Sequence, residues 1–194
     1  MKQKVIIISS SPRRKGNSEI LCEQFQKGAL ESGCDVEKIN LNDYIIHPCI
    51  ACDYCRKHDS ICFRQDDANK IIQKMIDADI WVLSTPVYFY SVSAQMKLLI
   101  DRFYAREYAI RESLKRKKVY FIVTSGAPDL SEHTATIESL RGFIQVLKTV
   151  DEAGIINGAG AFKLGDATHH PAYLEAYQMG KSMDNDVETV FQCL

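Results

Sequence analysis

Short, uninterrupted apolar runs rich in β-branched residues recur along this chain, separated by longer amphipathic stretches, and they leave few architectures open. Val5-Ile6-Ile7-Ile8 is the clearest; Ile80-Trp81-Val82-Leu83 and residues 119–123 follow the same plan. A strand with no polar alternation must be covered on both faces, which points to a parallel sheet between helical layers. The intervening stretches read as the covering helices. From about residue 17 or 18, Leu21, Phe25 and Ala29 recur at helical spacing, and Gly33 stops the run. Asp66 or Asp67 can cap a helix whose inner face is Ile71, Ile72, Met75 and Ile76. Further helices fit residues 93–106, 131–148 and 173–191, and weaker strands fit 36–41 and the glycine-diluted 155–162. Alternating strands and helices predict a three-layer α/β/α domain with a five-stranded parallel sheet, order 2-1-3-4-5. Its ligand site then lies between strands 1 and 3.

The 194 residues suit one domain, 1–194, and no repeat or linker divides them. A formal net charge of -1 argues against nucleic-acid or anionic-membrane partners. No apolar run approaches the ~18 residues of a membrane span. Met1-Lys2-Gln3-Lys4 leads straight into a strand without a signal peptide's apolar region, so a cytoplasmic location is expected. The seven cysteines are an odd number, and a disulfide framework does not suit that setting. Cys22, Cys34 and Cys193 read as small apolar side chains. His47 and His58 read as surface or packing residues, and His169, His170 and the basic run 115–118 as solvated loop residues.

The loops at the carboxyl ends of strands 1, 3 and 4 carry the chemistry. The first, Ser9-Ser10-Ser11-Pro12-Arg13-Arg14-Lys15-Gly16-Asn17-Ser18, brings hydroxyls, cations and a helix N-terminus to one spot. Such a spot binds phosphate, although a polar loop that merely caps a helix has a similar composition. Neither G-x-G-x-x-G nor G-x-x-x-x-G-K-[ST] is present, so a terminal monophosphate fits better than a dinucleotide or a triphosphate. Arg14 reads as solvated. The second loop, Ser84-Thr85-Pro86-Val87-Tyr88-Phe89-Tyr90-Ser91, places three aromatics where a loop normally faces water. An apolar wall there suits a flat ring system, a partner subunit, or both. Thr124, Ser125 and Gly126 close the third side. A phosphoacceptor receiver shares this strand order but needs an acidic pair after strand 1 and an Asp ending strand 3. Ser9-Ser10-Ser11 and Ser84-Thr85-Pro86 stand in those places.

Four cysteines crowd into a segment at about 47–64: Cys49-x2-Cys52-x2-Cys55-x6-Cys62. Two-residue gaps resemble a ferredoxin run, although the last gap is longer and no proline follows Cys62. A four-cysteine zinc site usually pairs two knuckles across a longer insert, so zinc fits less well, and cysteines buried without metal are a third reading. Lying between strand 2 and the helix at Asp67, the segment is expected near the switch-point face.

The strand 1 and strand 3 loops resemble the NADPH-dependent FMN reductase family, and especially its iron-sulfur flavoprotein branch. The likeness lies in Ser10-Ser11-Pro12-Arg13-Arg14-Lys15-Gly16-Asn17-Ser18, where Ser10 replaces the family's glycine, and in Ser84-Thr85-Pro86-Val87-Tyr88-Phe89. Ser91-Val92-Ser93-Ala94-Gln95-Met96-Lys97 and Ile100-Asp101-Arg102 continue it. The resemblance implies a flavodoxin-like fold in which Ser9, Ser11, Arg13, Gly16, Asn17 and Ser18 hold an FMN phosphate. Pro86, Val87, Tyr88, Phe89 and Ser91 would border the ring, with Thr124, Ser125 and Gly126 at its other edge. It further implies NAD(P)H as co-substrate, and Cys49, Cys52, Cys55 and Cys62 as ligands of one [4Fe–4S] cluster. A flavin site finished by a neighbouring subunit, in a homodimer or homotetramer, follows from the same likeness. Electrons would leave for a small-molecule or protein acceptor: a quinone, a dye, a metal ion or the cluster. An electron carrier without its own NAD(P)H reaction is the alternative, and a cysteine-built metal-binding module a more distant one.

Overall fold

The structure is a computed structural model and describes residues 2–107, 111 and 115–183. Five parallel strands lie in the order β2-β1-β3-β4-β5: β1 (Lys4–Ser9), β2 (Asp35–Asn40), β3 (Ile80–Pro86), β4 (Lys117–Ser125) and β5 (Val150–Ala159). The helices are α1 (Asn17–Glu31), α2 (Ala68–Asp77), α3 (Ala94–Arg102), α4 (Thr134–Leu147) and α5 (Pro171–Lys181). The central strands work both faces of the sheet. Val5 and Ile7 of β1, with Ile80 and Val82 of β3, pack against Leu21 and Phe25 of α1 and Ala176 of α5. Ile6, Ile8, Trp81 and Leu83 join Ile71, Met75, Met96, Leu99 and Leu140 on the opposite side. Each buried aliphatic side chain contributes about 1.5–3 kcal/mol, so these alternating residues hold both helical layers on one sheet.

Three boundaries differ from the sequence expectation. β5 starts at Val150 rather than near residue 155, because an edge strand tolerates polar residues: Asp151 pairs with Arg116 and Glu152 with Arg141. The helix expected over 93–106 is α-helical to Arg102 and tightens into a 3₁₀ turn at Phe103–Arg106. A similar turn, Leu130–His133, precedes α4. Of the helix expected over 173–191, residues 184–191 lie outside the described residues, as does Cys193. Among the described residues no helix is long and apolar enough to cross a membrane.

Helices α1 and α5 cross with almost no space between backbones. A Cβ on Gly28 would come to 2.1 Å from the Tyr177 carbonyl oxygen, and one on Gly180 to 2.2 Å from that of Phe25. Only glycine permits this approach.

Candidate functional site

The loops after β1, β3 and β4 converge on one cleft of about 210 Å³ at the carboxyl end of the sheet. Ser11, Arg13, Gly16, Asn17 and Ser18 line one side, Pro86, Val87 and Tyr88 another, and Thr124, Ser125 and Gly126 the third. The first turn of α1 has no side-chain cap: Gly16 at the N-cap leaves the orphan N–H groups of that turn to other acceptors. A Cβ on Gly16 would come to 2.9 Å from the Arg13 carbonyl oxygen, so the tight loop requires glycine there. Ser18 Oγ lies 2.6 Å from Thr124 Oγ1, tying the α1 side of the cleft to β4. Ser93, the N-cap of α3, donates to Ser10 Oγ at 2.9 Å and so fixes the base of the same loop.

The cations of the first loop have separate fates. Arg14 is ion-paired with Asp43 and turned from the cleft, whereas Arg13 is exposed and has no carboxylate partner among the described residues. Both ends of the Asn17 amide are committed. Nδ2 donates to the Ala161 and Lys163 carbonyls, and Oδ1 accepts from the Ala167 N–H. Asn17 therefore staples the β5–α5 loop to α1, and its backbone N–H is what it has left to offer a ligand. An uncapped helix N-terminus beside an unpaired guanidinium and two hydroxyls is a donor set that fits a monophosphate.

Three of the expected residues do not line the cleft. Ser9 is buried at the end of β1. Ser91 exchanges both backbone bonds with Tyr88, at 2.9 and 3.0 Å, which closes a two-residue turn. Phe89 and Tyr90 form that turn at φ of 50° and 61°, and Phe89 is fully exposed. Such turns usually carry Asn-Gly, and each aromatic there costs about 1–2 kcal/mol. The turn thrusts Phe89 away from its own cleft.

Ala161 and Phe162 complete the wall, and sequence reasoning did not single them out. The signal was the glycine-rich end of strand 5. Gly160, at φ 89°, turns the chain over the cleft, and the Phe162 ring lies where a Cβ on Gly126 would be, 2.4 Å away.

Behind the third loop, His133 is fully buried. Ser125 Oγ donates to the Ala127 carbonyl and lies 2.6 Å from His133 Nε2. Burial pushes this imidazole below its ordinary pKa, against a smaller upward pull from Asn157. The unfolded chain therefore takes up a proton near pH 6.5 that the folded chain resists. Stability is unaffected above that pH and declines as pH falls toward the folded-state value, by at most about 1.4 kcal/mol per pH unit. Denaturant titrations from pH 7 to 5 should show this slope in the wild type and a flatter one in His133→Gln. Coincident slopes would mean that His133 is not held neutral.

The cysteine segment does not adjoin the cleft. It runs along the outside of α3, whose first turn touches the phosphate loop and whose last residue, Arg102, meets the insert about 13 Å further on, at 1.5 Å per residue. The expected position near the switch-point face is thus corrected: the insert is drawn down by its anchors. His47 N–H donates to Asp66, Ile45 N–H to Asp67, and Tyr104 bonds both Arg56 and Asp53. Asp66 and Arg102 form an ion pair of 2.5 Å with both side chains buried. Burial alone would raise the Asp66 carboxyl, but Arg102 and the His47 N–H outweigh it and hold the pKa below the ordinary range.

Cys49, Cys52, Cys55 and Cys62 all border one cavity of about 20 Å³. Cys49 and Cys52 are exposed, Cys62 half-buried and Cys55 buried, and burial pushes the Cys55 thiol up. The Ala51 N–H points at Cys49 Sγ at 3.5 Å, and Ala51, Asp53, Asp59 and Ser60 have left-handed φ. Among the described residues, no group of three or more His, Cys, Asp or Glu side chains is arranged to hold a metal ion. The donor set is all sulfur, as in a four-cysteine [4Fe–4S] centre, but the thiols are not converged.

Known proteins resemble this chain in sequence and in fold. An iron-sulfur flavoprotein of Methanocaldococcus jannaschii is 35% identical over 194 aligned residues, covering 96% of this chain and 98% of that one. An iron-sulfur flavoprotein of Archaeoglobus fulgidus is 37% identical over 124 residues, 63% of this chain and 59% of that one. The NAD(P)H:quinone oxidoreductase from Methanothermobacter marburgensis superposes with a TM-score of 0.69 at 19% identity, over 95% of this chain and 98% of that one, a likeness of fold. Residues 3–151 match the sequence profile of the NADPH-dependent FMN reductases. On that match and the near full-length relative, this flavodoxin-like chain belongs to the NADPH-dependent FMN reductase family.

Proposed function

We propose that the chain is a cytoplasmic NAD(P)H-dependent flavin oxidoreductase that holds FMN in the three-loop cleft and passes electrons to a quinone, a dye, a metal ion or its own cysteine-bound cluster. The uncapped α1 N-terminus beside unpaired Arg13 carries this reading, because that donor set suits a terminal phosphate. When bound, the flavin supplies two-electron acceptance from a nicotinamide and stepwise release to an acceptor, which the protein need only orient. Ser11, Arg13, Ser18 and the first turn of α1 would hold the phosphate. Pro86, Val87 and Tyr88 would border the ring, with Ser125 fixed by His133 at its other edge. No protein acid or base is required for this chemistry, consistent with a cleft lined by hydroxyls, backbone and aromatics.

At about 210 Å³ the cleft is smaller than the ~300 Å³ at which pockets begin to enclose a whole drug-sized ligand. Part of the flavin would stay at an open mouth bordered by Tyr88 and Phe162. A second copy of the chain is the proposed cover, in a homodimer or homotetramer, with Phe89 reaching toward it. The four cysteines are proposed to hold a [4Fe–4S] cluster. Their cavity of about 20 Å³ has room for little more than one water, so the exposed stretch Cys49–Cys52 would have to move outward to admit a cluster.

Anaerobically purified protein should contain about one FMN per chain and oxidise NADPH or NADH when a quinone or ferric acceptor is added. Tight FMN with no nicotinamide oxidation above the protein-free rate would overturn the enzymatic reading and favour an electron carrier.

A further inference from the structure

A groove of about 570 Å³, more than twice the volume of the three-loop cleft, shares no lining residue with it. It lies between α3 and the turn that follows it, the carboxyl end of α4, and the rim of the insert. Ile100, Phe103, Phe143 and Leu147 give it an apolar floor. Phe103 and Phe143 meet edge to face at 5.0 Å, and the buried Trp81 stacks on Phe143 at 6.3 Å, so the floor is backed by packed aromatics. The charged lining residues are all carboxylates, Asp53, Asp101 and Glu107, and among the described residues no Lys, Arg or His lines the groove. Asp101 pairs with Lys97 at 2.5 Å and Glu107 with Arg111 at 2.7 Å, both along the helix surface. Asp53 accepts from the Tyr104 hydroxyl at 2.9 Å, with Arg56 at 3.7 Å. Each of these contacts engages one carboxylate oxygen, and a carboxylate has acceptor sites for more. Exposed pairs of this kind are weak, so a second cation can share them.

We propose that this groove is a second ligand site, for a small organic cation with an apolar or aromatic body. The volume falls within the ~300–1,000 Å³ of small-molecule sites. The apolar floor takes up the body of the ligand. The Phe143 and Tyr104 rings attract positive charge through their faces, and the carboxylates at the rim add to that attraction. A bare metal ion does not suit the site, because among the described residues no three such side chains are arranged around one point. Phosphate-bearing ligands are repelled by the same carboxylates, so the groove is not a place for a nicotinamide or flavin nucleotide. It also stands apart from the flavin chemistry. The N-cap of α3, Ser93, holds the base of the phosphate loop at Ser10, whereas the groove is walled by the other end of that helix. The site is therefore independent of the reading of the three-loop cleft.

The test titrates the full chain in a calorimeter with tetraphenylphosphonium and, separately, with tetraphenylborate, two ions of the same shape and opposite charge. Neither needs the flavin to react. The cation should bind at about one per chain and at least about tenfold more tightly than the anion, with a preference that shrinks as salt is added. Val146 lines the groove and is 44% exposed, so Val146→Arg adds bulk and positive charge there without entering the core. It should weaken the cation by about tenfold or more. Asp101→Asn/Glu107→Gln removes two rim charges and should bring the two ions to within about threefold of each other. Circular dichroism and the thermal midpoint report folding, and the second variant decides the matter alone if Val146→Arg does not fold. Equal affinity of the wild type for both ions, or binding of neither, would overturn the proposal. Wild-type affinity for the cation in both folded variants would place its site elsewhere and overturn it as well.

Discussion

Changing Arg13 and Ser18 together to alanine should weaken FMN binding about 100- to 10,000-fold and leave riboflavin within about threefold of its wild-type affinity. The two ligands differ only in the phosphate, so their ratio isolates the loop that holds it. Each charge-assisted hydrogen bond is worth about 1.5–3 kcal/mol, and two of them give that range. Arg13 has no carboxylate to satisfy it among the described residues, and the first turn of α1 has no side-chain cap to compete with a ligand. Ser18 is bound to Thr124 across the cleft, so its removal also loosens the wall, an effect that both ligands would feel. Quenching of flavin fluorescence measures both affinities on one preparation. Equal losses would place the phosphate elsewhere.

The second large effect is on stability. Gly180→Val should cost about 3 kcal/mol and lower the thermal midpoint by roughly 6–12 °C. The added Cβ would meet the Phe25 carbonyl oxygen at 2.2 Å and the Ala29 nitrogen at 2.9 Å, both backbone atoms of a helix that cannot yield locally. Separating α1 from α5 would expose Ala172, Ala176 and Phe25, which the crossing now buries. Gly142→Ala is the matched control. Gly142 sits on exposed α4 with nothing within 4 Å of an added Cβ, so alanine should be neutral or stabilise by up to about 1 kcal/mol. Similar losses at both positions would mean that glycine content, and not the crossing, sets the stability. The α1 N-terminus lies at the far end of the helix, so FMN should still bind at low temperature.

Much of this architecture is legible in the residues. Val5 to Ile8 and Ile80 to Leu83 announce two-faced burial because every position is apolar, and the two cores confirm which residue faces which layer. β5 was harder to read, since an edge strand obeys solvent on one side and hides its start behind Asp151 and Glu152. The three cleft-forming loops were legible from their chemistry, but the direction of individual side chains was not. Phe89 reads as a ring contact, yet the turn leaves it fully exposed, and the sequence does not show that the Asn17 amide is bound to residues 161–167, leaving its backbone N–H at the cleft. Arg102 is legible only as part of the family likeness, and nothing in the sequence marks its burial. A charged residue at the end of an amphipathic helix is ordinarily solvated, and only the three-dimensional path of the insert buries it.

That path has a consequence for how such a protein can change over generations. The segment from Tyr44 to Asp66 contributes little to either core and is pegged at a few polar points: Asp66, Asp67, Arg102 and Tyr104. Neither the sheet nor the flavin cleft depends on what hangs between those pegs. The insert is therefore a cartridge, which can be shortened, stripped of its cysteines or exchanged for a segment with other chemistry while the scaffold keeps its three-loop cleft. Selection can retune or discard that segment without reopening the problem of how the chain folds.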